Sequence, residues 1–182
     1  MKRFLICSIP VLFMILNAQV FNTAQTLRPG NFNLGLEPTI YDYEGNNETS
    51  LFVHGGYGIS RGMDLGIKLG LGMDNTYFGA DLEWMLRTIS PYLSISAGAH
   101  IFNDVGIDGT LNITFPLSKQ VWLYTGLDMD VVFADDETFI PLWLPVGIEV
   151  GLRKNMTLIL EIEVGLNTEA YNIFGGGINF YF

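Results

Sequence analysis

The stretch Met63–Asp74 reads M-D-L-G-I-K-L-G-L-G-M-D and decides the fold. Met63, Leu65, Ile67, Leu69, Leu71 and Met73 alternate with Asp64, Gly66, Lys68, Gly70, Gly72 and Asp74. A period of two is that of a β-strand, whose side chains point alternately to opposite faces. One face is a continuous row of large apolar groups, and the other is glycine and charge. In water the large face would be the core. In a bilayer it would face lipid, and the small polar face would line a barrel lumen.

The same alternation recurs along the chain. The apolar rows are Phe32, Leu34, Leu36, Pro38 and Ile40; Leu51, Val53, Tyr57 and Ile59; Phe78, Ala80, Leu82, Trp84 and Leu86; and Leu93, Ile95, Ala97, Ala99 and Ile101. They continue as Ile107, Leu111, Ile113 and Phe115; Leu123, Leu127, Met129, Val131 and Phe133; and Leu142, Leu144, Val146, Ile148, Val150 and Leu152. Leu158, Leu160, Ile162 and Val164, then Phe174, Ile178, Phe180 and Phe182, complete the set. With the opening stretch this makes ten segments on short connections, which predicts antiparallel hairpins. Asp42–Thr49, polar and turn-rich, is expected to be the longest early loop. Pro38 has no amide hydrogen and should sit at a gap in its ladder.

Composition agrees with a membrane barrel. Apolar residues are 49% of the 182 and charged residues 15%, against about 25% charged in soluble domains. No apolar run of about 18 residues offers a spanning helix.

The N-terminus has the form of a secretory signal peptide: Lys2 and Arg3, then an apolar Phe4–Leu16, then Asn17-Ala18-Gln19. The expected organisation is a signal peptide over 1–18, a periplasmic lead-in over 19–30 and a barrel over 31–182, with Ala24 as the fallback cleavage position. Cys7, the only cysteine, would leave with the signal, so disulfides and thiol chemistry are excluded from the mature chain. Removing Lys2 and Arg3 takes the net charge from −10 to −12, which argues against a nucleic-acid partner.

Two arguments choose lipid outside over core inside. Ten full rows of large apolar side chains exceed what a small barrel can enclose. Charge also sorts by end. With both termini periplasmic, the outer connections hold Asp42, Glu44, Glu48, Asp74, Asp104, Asp135, Asp136, Glu137 and Glu169 and no Lys or Arg. The inner connections and strand ends hold Arg61, Arg87, Lys119, Arg153 and Lys154.

The C-terminal Ile178–Phe182, I-N-F-Y-F, resembles the terminal β-signal of bacterial outer-membrane proteins. Ile178 and Phe180 are in phase with the terminal aromatic Phe182. With the alternating segments, the mature chain resembles a small outer-membrane β-barrel of the porin-like or OmpA/OmpX-like kind. The N-A-Q region and lean loops suggest a Bacteroidota-type member. The resemblance implies an integral outer-membrane location among lipid and lipopolysaccharide, and recognition by the barrel-assembly machinery. The fold expected is an all-β, up-and-down antiparallel barrel of ten strands, with eight as the alternative.

The lumen-facing acids are the sharpest chemical feature: Glu37, Asp81, Glu83, Asp108, Asp128, Asp130, Glu149, Glu161 and Glu163. They are expected to share the interior with Lys68, His54 and His100 and, near one end, with Arg87 and Arg153. Buried charge must be relieved by pairing, water or protonation. One outcome is a narrow, cation-preferring pore. The other, favoured because small barrels are commonly filled by side chains, is a plugged lumen in a structural or partner-binding barrel.

His54 or His100 with Asp81 or Asp108 would make an acid–base pair, yet no Asp-x-His or His-x-Ser arrangement of the outer-membrane proteases or lipid A deacylases occurs. The loops are also short for a cleft. No enzymatic activity, metal or cofactor is therefore expected. Asp135-Asp136-Glu137 is a solvated acidic cluster without EF-hand spacing. A surface-binding or adhesion module is the alternative function class. Trp84, Tyr57 and Tyr92 suit interfacial girdles, whereas Trp122 and Trp143 phase inward.

Overall fold

A computed structural model of the chain describes residues 23–43, 46–72, 76–134 and 137–182. The expected signal peptide, lead-in residues 19–22, Glu44, Asp74, Asp135 and Asp136 lie outside the described residues.

The strands are β1 (Phe32–Tyr43), β2 (Asn46–Ser60), β3 (Met63–Leu71), β4 (Tyr77–Arg87), β5 (Tyr92–Phe102), β6 (Asp104–Pro116), β7 (Val121–Phe133), β8 (Thr138–Phe139), β9 (Leu142–Arg153), β10 (Met156–Gly165) and β11 (Asn172–Tyr181). Every pairing is antiparallel. The order β6-β5-β4-β3-β2-β1-β11-β10-β9-β7 is closed by β6–β7, giving a ten-stranded up-and-down barrel; two-residue β8 pairs only with the end of β7. No helix occurs among the described residues.

The alternation read from the sequence is the alternation of the wall. Outward residues such as Phe78 (51% exposed), Ile107 (49%) and Ile162 (45%) form a continuous apolar belt. A water-soluble monomer does not expose apolar area on that scale, whereas lipid solvates it. Strands of 9 to 15 residues are long enough to cross a bilayer at a barrel's tilt.

The chain ends meet at the seam. Leu34 lies opposite Phe180 and Leu36 opposite Ile178. Phe32 and Phe182 exchange backbone hydrogen bonds, and their rings stack at 4.7 Å. The C-terminal aromatics thus close the barrel onto its first strand. The β1–β11 ladder skips Glu37 and Pro38, as the missing proline donor requires.

One expectation changes. Asp42–Thr49 is not a long loop: β1 runs to Tyr43, which pairs with Asn46, and Glu48 and Thr49 lie in the β2 ladder. Backbone pairing carries the hairpin past the apolar zone, so polar composition there marks where the strands enter water rather than where they stop. The described part of the lead-in is docked on the barrel. Residues 23–31 fold into the barrel end that carries both termini. There the Ala24 amide donates to Thr114 Oγ1 (2.9 Å), the Leu27 amide to Asp64 Oδ2 (2.8 Å) and the Gly30 amide to the Gly58 carbonyl (2.9 Å). Ala24 is fully buried.

Gly58 permits this docking, because a Cβ there would stand 2.1 Å from the Arg28 carbonyl oxygen. That overlap is with backbone, so substitution must displace the segment at a cost of about 1–3 kcal/mol. Gly58→Ala is expected to speed amide exchange at Ala24 and Leu27 by about tenfold or more while leaving exchange in the barrel wall unchanged. Unaltered exchange at both amides would show that the docking does not depend on Gly58.

Candidate functional site

The inward row builds the candidate site. Glu37, Asp81, Glu83, Asp128, Asp130, Glu149, Glu161 and Glu163 are all buried in the lumen, with His54 and His100. Asp108 faces the same space with 17% of its side chain exposed. Arg87 and Arg153 do not join them. Both are exposed at the end that carries the termini, next to register shifts at Met85/Arg87 and Met156/Thr157. Arg87 Nη2 donates to the Ser90 carbonyl at 3.4 Å. A strand-end cation is better solvated at the rim, and the bulge re-aims the side chain. Tyr92 likewise departs from a girdle role, since it shares the inward row of Ser94 and Ser96.

Lys68 is the only Lys or Arg among the described residues that is not exposed. Its Nζ lies 3.3 Å from Asp81 Oδ2. Neutral donors serve other acids. Ser94 Oγ donates to Glu83 Oε1, Thr110 Oγ1 to Asp128 Oδ1 at 2.5 Å and the Tyr181 hydroxyl to Glu149 Oε1 at 2.9 Å. His100 sits between two acids, with Nδ1 3.3 Å from Asp108 Oδ1 and Nε2 3.9 Å from Asp130 Oδ2. The His100/Asp108 pair weighed from sequence is therefore assembled.

Asp64 was missed as a site acid, although it stands in the inward row of the opening stretch; it is buried and holds the Leu27 amide. Tyr77 and Tyr124 were also missed. Their inward phase was legible, but which of them meet across the lumen depends on pairings far apart in sequence.

Along its axis the lumen is divided. Toward the termini, a cavity of only about 50 Å³ is lined by Leu27, His54, Asp64, Lys68, Asp81 and Glu149 among others. At the opposite mouth, a cavity of about 180 Å³ is lined by Tyr77, His100, Phe102, Asp130, Val132, Phe139, Pro141, Trp143, Glu169 and Tyr171. Phe52, Tyr124, Ile173, Glu37 and Glu163 line neither cavity, and each is less than 2% exposed. Tyr124 packs over Gly147, where a Cβ would fall 2.2 Å from the ring. Trp143 fills the lumen, as its phase predicts, while Trp122 only lines the rim at the other end.

Two connections cover the mouth opposite the termini. The Ile140 amide donates to Glu169 Oε2, Asn167 Nδ2 to the Ile140 carbonyl (2.7 Å) and the Leu166 amide to the Leu142 carbonyl (2.8 Å). Trp143 Nε1 donates to the Tyr171 carbonyl at 2.9 Å, and the Tyr171 ring meets Trp143 and Tyr41 edge-on. Burial, then the nearby Glu163 and Asp130 carboxylates, push the Tyr171 phenol well above its ordinary range, so it stays protonated. Short as they are, the loops build a cavity by bonding to each other, which their lengths did not foretell.

Charge separates between the ends as expected from sequence. The mouth with the covering loops exposes Asp42, Glu48, Glu137 and Glu169, and the end with the termini exposes Arg28, Arg61, Arg87, Lys119, Arg153 and Lys154.

No protein-family model matches the chain, and no curated protein matches it in sequence. Solved structures do share its fold. The KdgM porin superposes with a TM-score of 0.51 at 9% identity, over 82% of this chain and 99% of that one. The translocator domain of the autotransporter NalP from Neisseria meningitidis gives 0.50 at 8% identity, over 86% and 89%. The N-terminal barrel domain of Pseudomonas aeruginosa OprF gives 0.44 at 15% identity, over 86% and 100%. The likeness is one of architecture: the protein is a small β-barrel of the outer-membrane type.

Proposed function

We propose that this protein is an integral outer-membrane barrel with a closed lumen, acting as a structural or partner-binding element rather than a pore. The observation that carries this is the packed middle of the lumen. Phe52, Tyr124, Ile173, Glu37 and Glu163 are fully buried between the two cavities, and residues 23–31 dock at the end beneath them, beside an open cavity of about 620 Å³. Six of the nine acids that suggested a cation path, Asp81, Glu83, Asp108, Asp128, Asp130 and Glu149, are engaged by Lys68, Ser94, His100, Thr110 and Tyr181. Small barrels reach this state because the enclosed volume is about that of the inward side chains.

In this reading both termini are periplasmic, the acidic loops face outward and the belt is solvated by lipid and lipopolysaccharide. Ile178, Phe180 and Phe182 serve recognition by the assembly machinery before they close the seam. An enzymatic role is disfavoured by the site itself. Among the described residues the mouth cavity has no Ser, Thr or Cys in its wall, and both nitrogens of His100 face carboxylates.

Planar-bilayer recording of the refolded protein tests the closed lumen. The expected result is no stepwise conductance at moderate salt. Reproducible cation-selective steps would overturn the closed reading and establish the pore.

A further inference from the structure

We propose that the mouth cavity under the two covering loops binds an organic cation, a quaternary ammonium of the size of choline. The site lies above the packed middle of the lumen, so the inference stands whether or not the barrel conducts.

Aromatic side chains supply much of the wall. Tyr77, Phe102, Trp143, Phe139 and Tyr171 all contribute to the lining. Tyr77 stacks on His100 at 5.3 Å, and Trp143 meets Tyr171 at 6.3 Å with planes at 77°. Such rings attract a desolvated cation through their negative faces, and cages of this composition select ammonium groups too weakly hydrated to prefer water. Acids supply the charge. Asp130 stands in the wall and Glu169 at the rim, with no Lys or Arg in the lining. Asp108 lies behind His100. Three carboxylates thus stand in and behind the wall against a single imidazole.

Size and rigidity agree. A cavity of about 180 Å³ is below the roughly 300–1,000 Å³ of pockets for drug-sized ligands and suits a compact headgroup. Its walls are held in place before any ligand arrives. Trp143 is tied to the Tyr171 carbonyl, and the two loops are bonded to each other through Glu169, Asn167 and Leu166. Preorganisation of this kind removes most of the ordering cost of binding. The opening is on the face that carries acidic residues and no Lys or Arg among the described residues, a potential that draws cations and repels anions.

The test is calorimetric titration of the refolded protein in a maltoside detergent, which carries no ammonium headgroup. The probes are choline, tetramethylammonium, the uncharged carbon isostere 3,3-dimethylbutanol, and phosphocholine. Saturable one-to-one binding of choline and tetramethylammonium is expected, with the isostere weaker by about tenfold. Tyr171→Ala should weaken choline by about tenfold, Glu169→Gln by several-fold, and Tyr171→Phe, which keeps the ring, should bind as the parent does. Both Tyr171 variants must retain the cooperative unfolding of the parent for the comparison to count. The inference is overturned if neither ammonium probe saturates, if the isostere binds as well as choline, or if Tyr171→Ala leaves affinity unchanged. Phosphocholine binding more tightly than choline would overturn the assignment to a simple cation and point to a zwitterionic lipid headgroup.

Discussion

Lys68→Met should destabilise the barrel by about 3–5 kcal/mol, the cost of removing one partner from a buried ion pair. The substitution nearly conserves volume, so little of the loss comes from packing. It arises because the buried Asp81 carboxyl loses the ammonium 3.3 Å away. The effect should exceed that of a surface lysine such as Lys154→Met, which is expected within about 0.5 kcal/mol of the parent. Lys68 also acts on Asp108 and Asp128, so its loss leaves the cluster more negative as a whole. Pairing the change with Asp81→Leu should recover much of the loss, since an apolar replacement of a whole buried pair is often neutral or better. Urea unfolding of refolded protein in micelles or lipid reads all of these. A Lys68→Met midpoint equal to that of the parent would show that the lumen charge is solvated and the pair contributes nothing.

Tyr124→Ala should turn a silent barrel into a cation-conducting one, at a stability cost of about 3–5 kcal/mol for truncating a buried aromatic. The ring occupies the space above Gly147 and is 1% exposed, in the layer of Glu37 and Glu161. An emptied apolar cavity stays dry, whereas one bordered by carboxylates takes up water. Hydration of this layer would connect the two cavities, and the surrounding acids set the sign of the ions that pass. Tyr124→Phe keeps the obstruction and should remain silent. Bilayer recording of parent, Tyr124→Ala and Tyr124→Phe under one salt gradient checks the prediction. A silent but folded Tyr124→Ala would place the seal elsewhere in the lumen, in Phe52 or in the segment 23–31.

The strand pattern was legible in the sequence because a barrel wall separates two solvents. Every outward residue must suit lipid and every inward one must suit the lumen, so a period of two recurs in each wall strand and breaks only at the strand-end bulges. That pattern gave hairpin connectivity, the facing of each acid and the end-to-end sorting of charge without any long-range information, and it favoured ten strands over eight, which the closed ring then decided. The rest depended on contacts that local order does not encode. Arg87 and Arg153 left the interior because bulges at the strand ends reversed their facing. The lead-in, which has no periodicity, found its place only because Asp64, Thr114 and Gly58 meet at one mouth. Whether nine acids make a channel or a plug turns on volume, which no local pattern encodes. Phe52 on β2, Tyr124 on β7 and Ile173 on β11 are buried in the lumen from strands far apart in the chain, and only a closed ring of ten strands brings them together. The mouth cavity has the same origin, since its lining is drawn from five strands and two loops whose proximity is a property of the closed barrel.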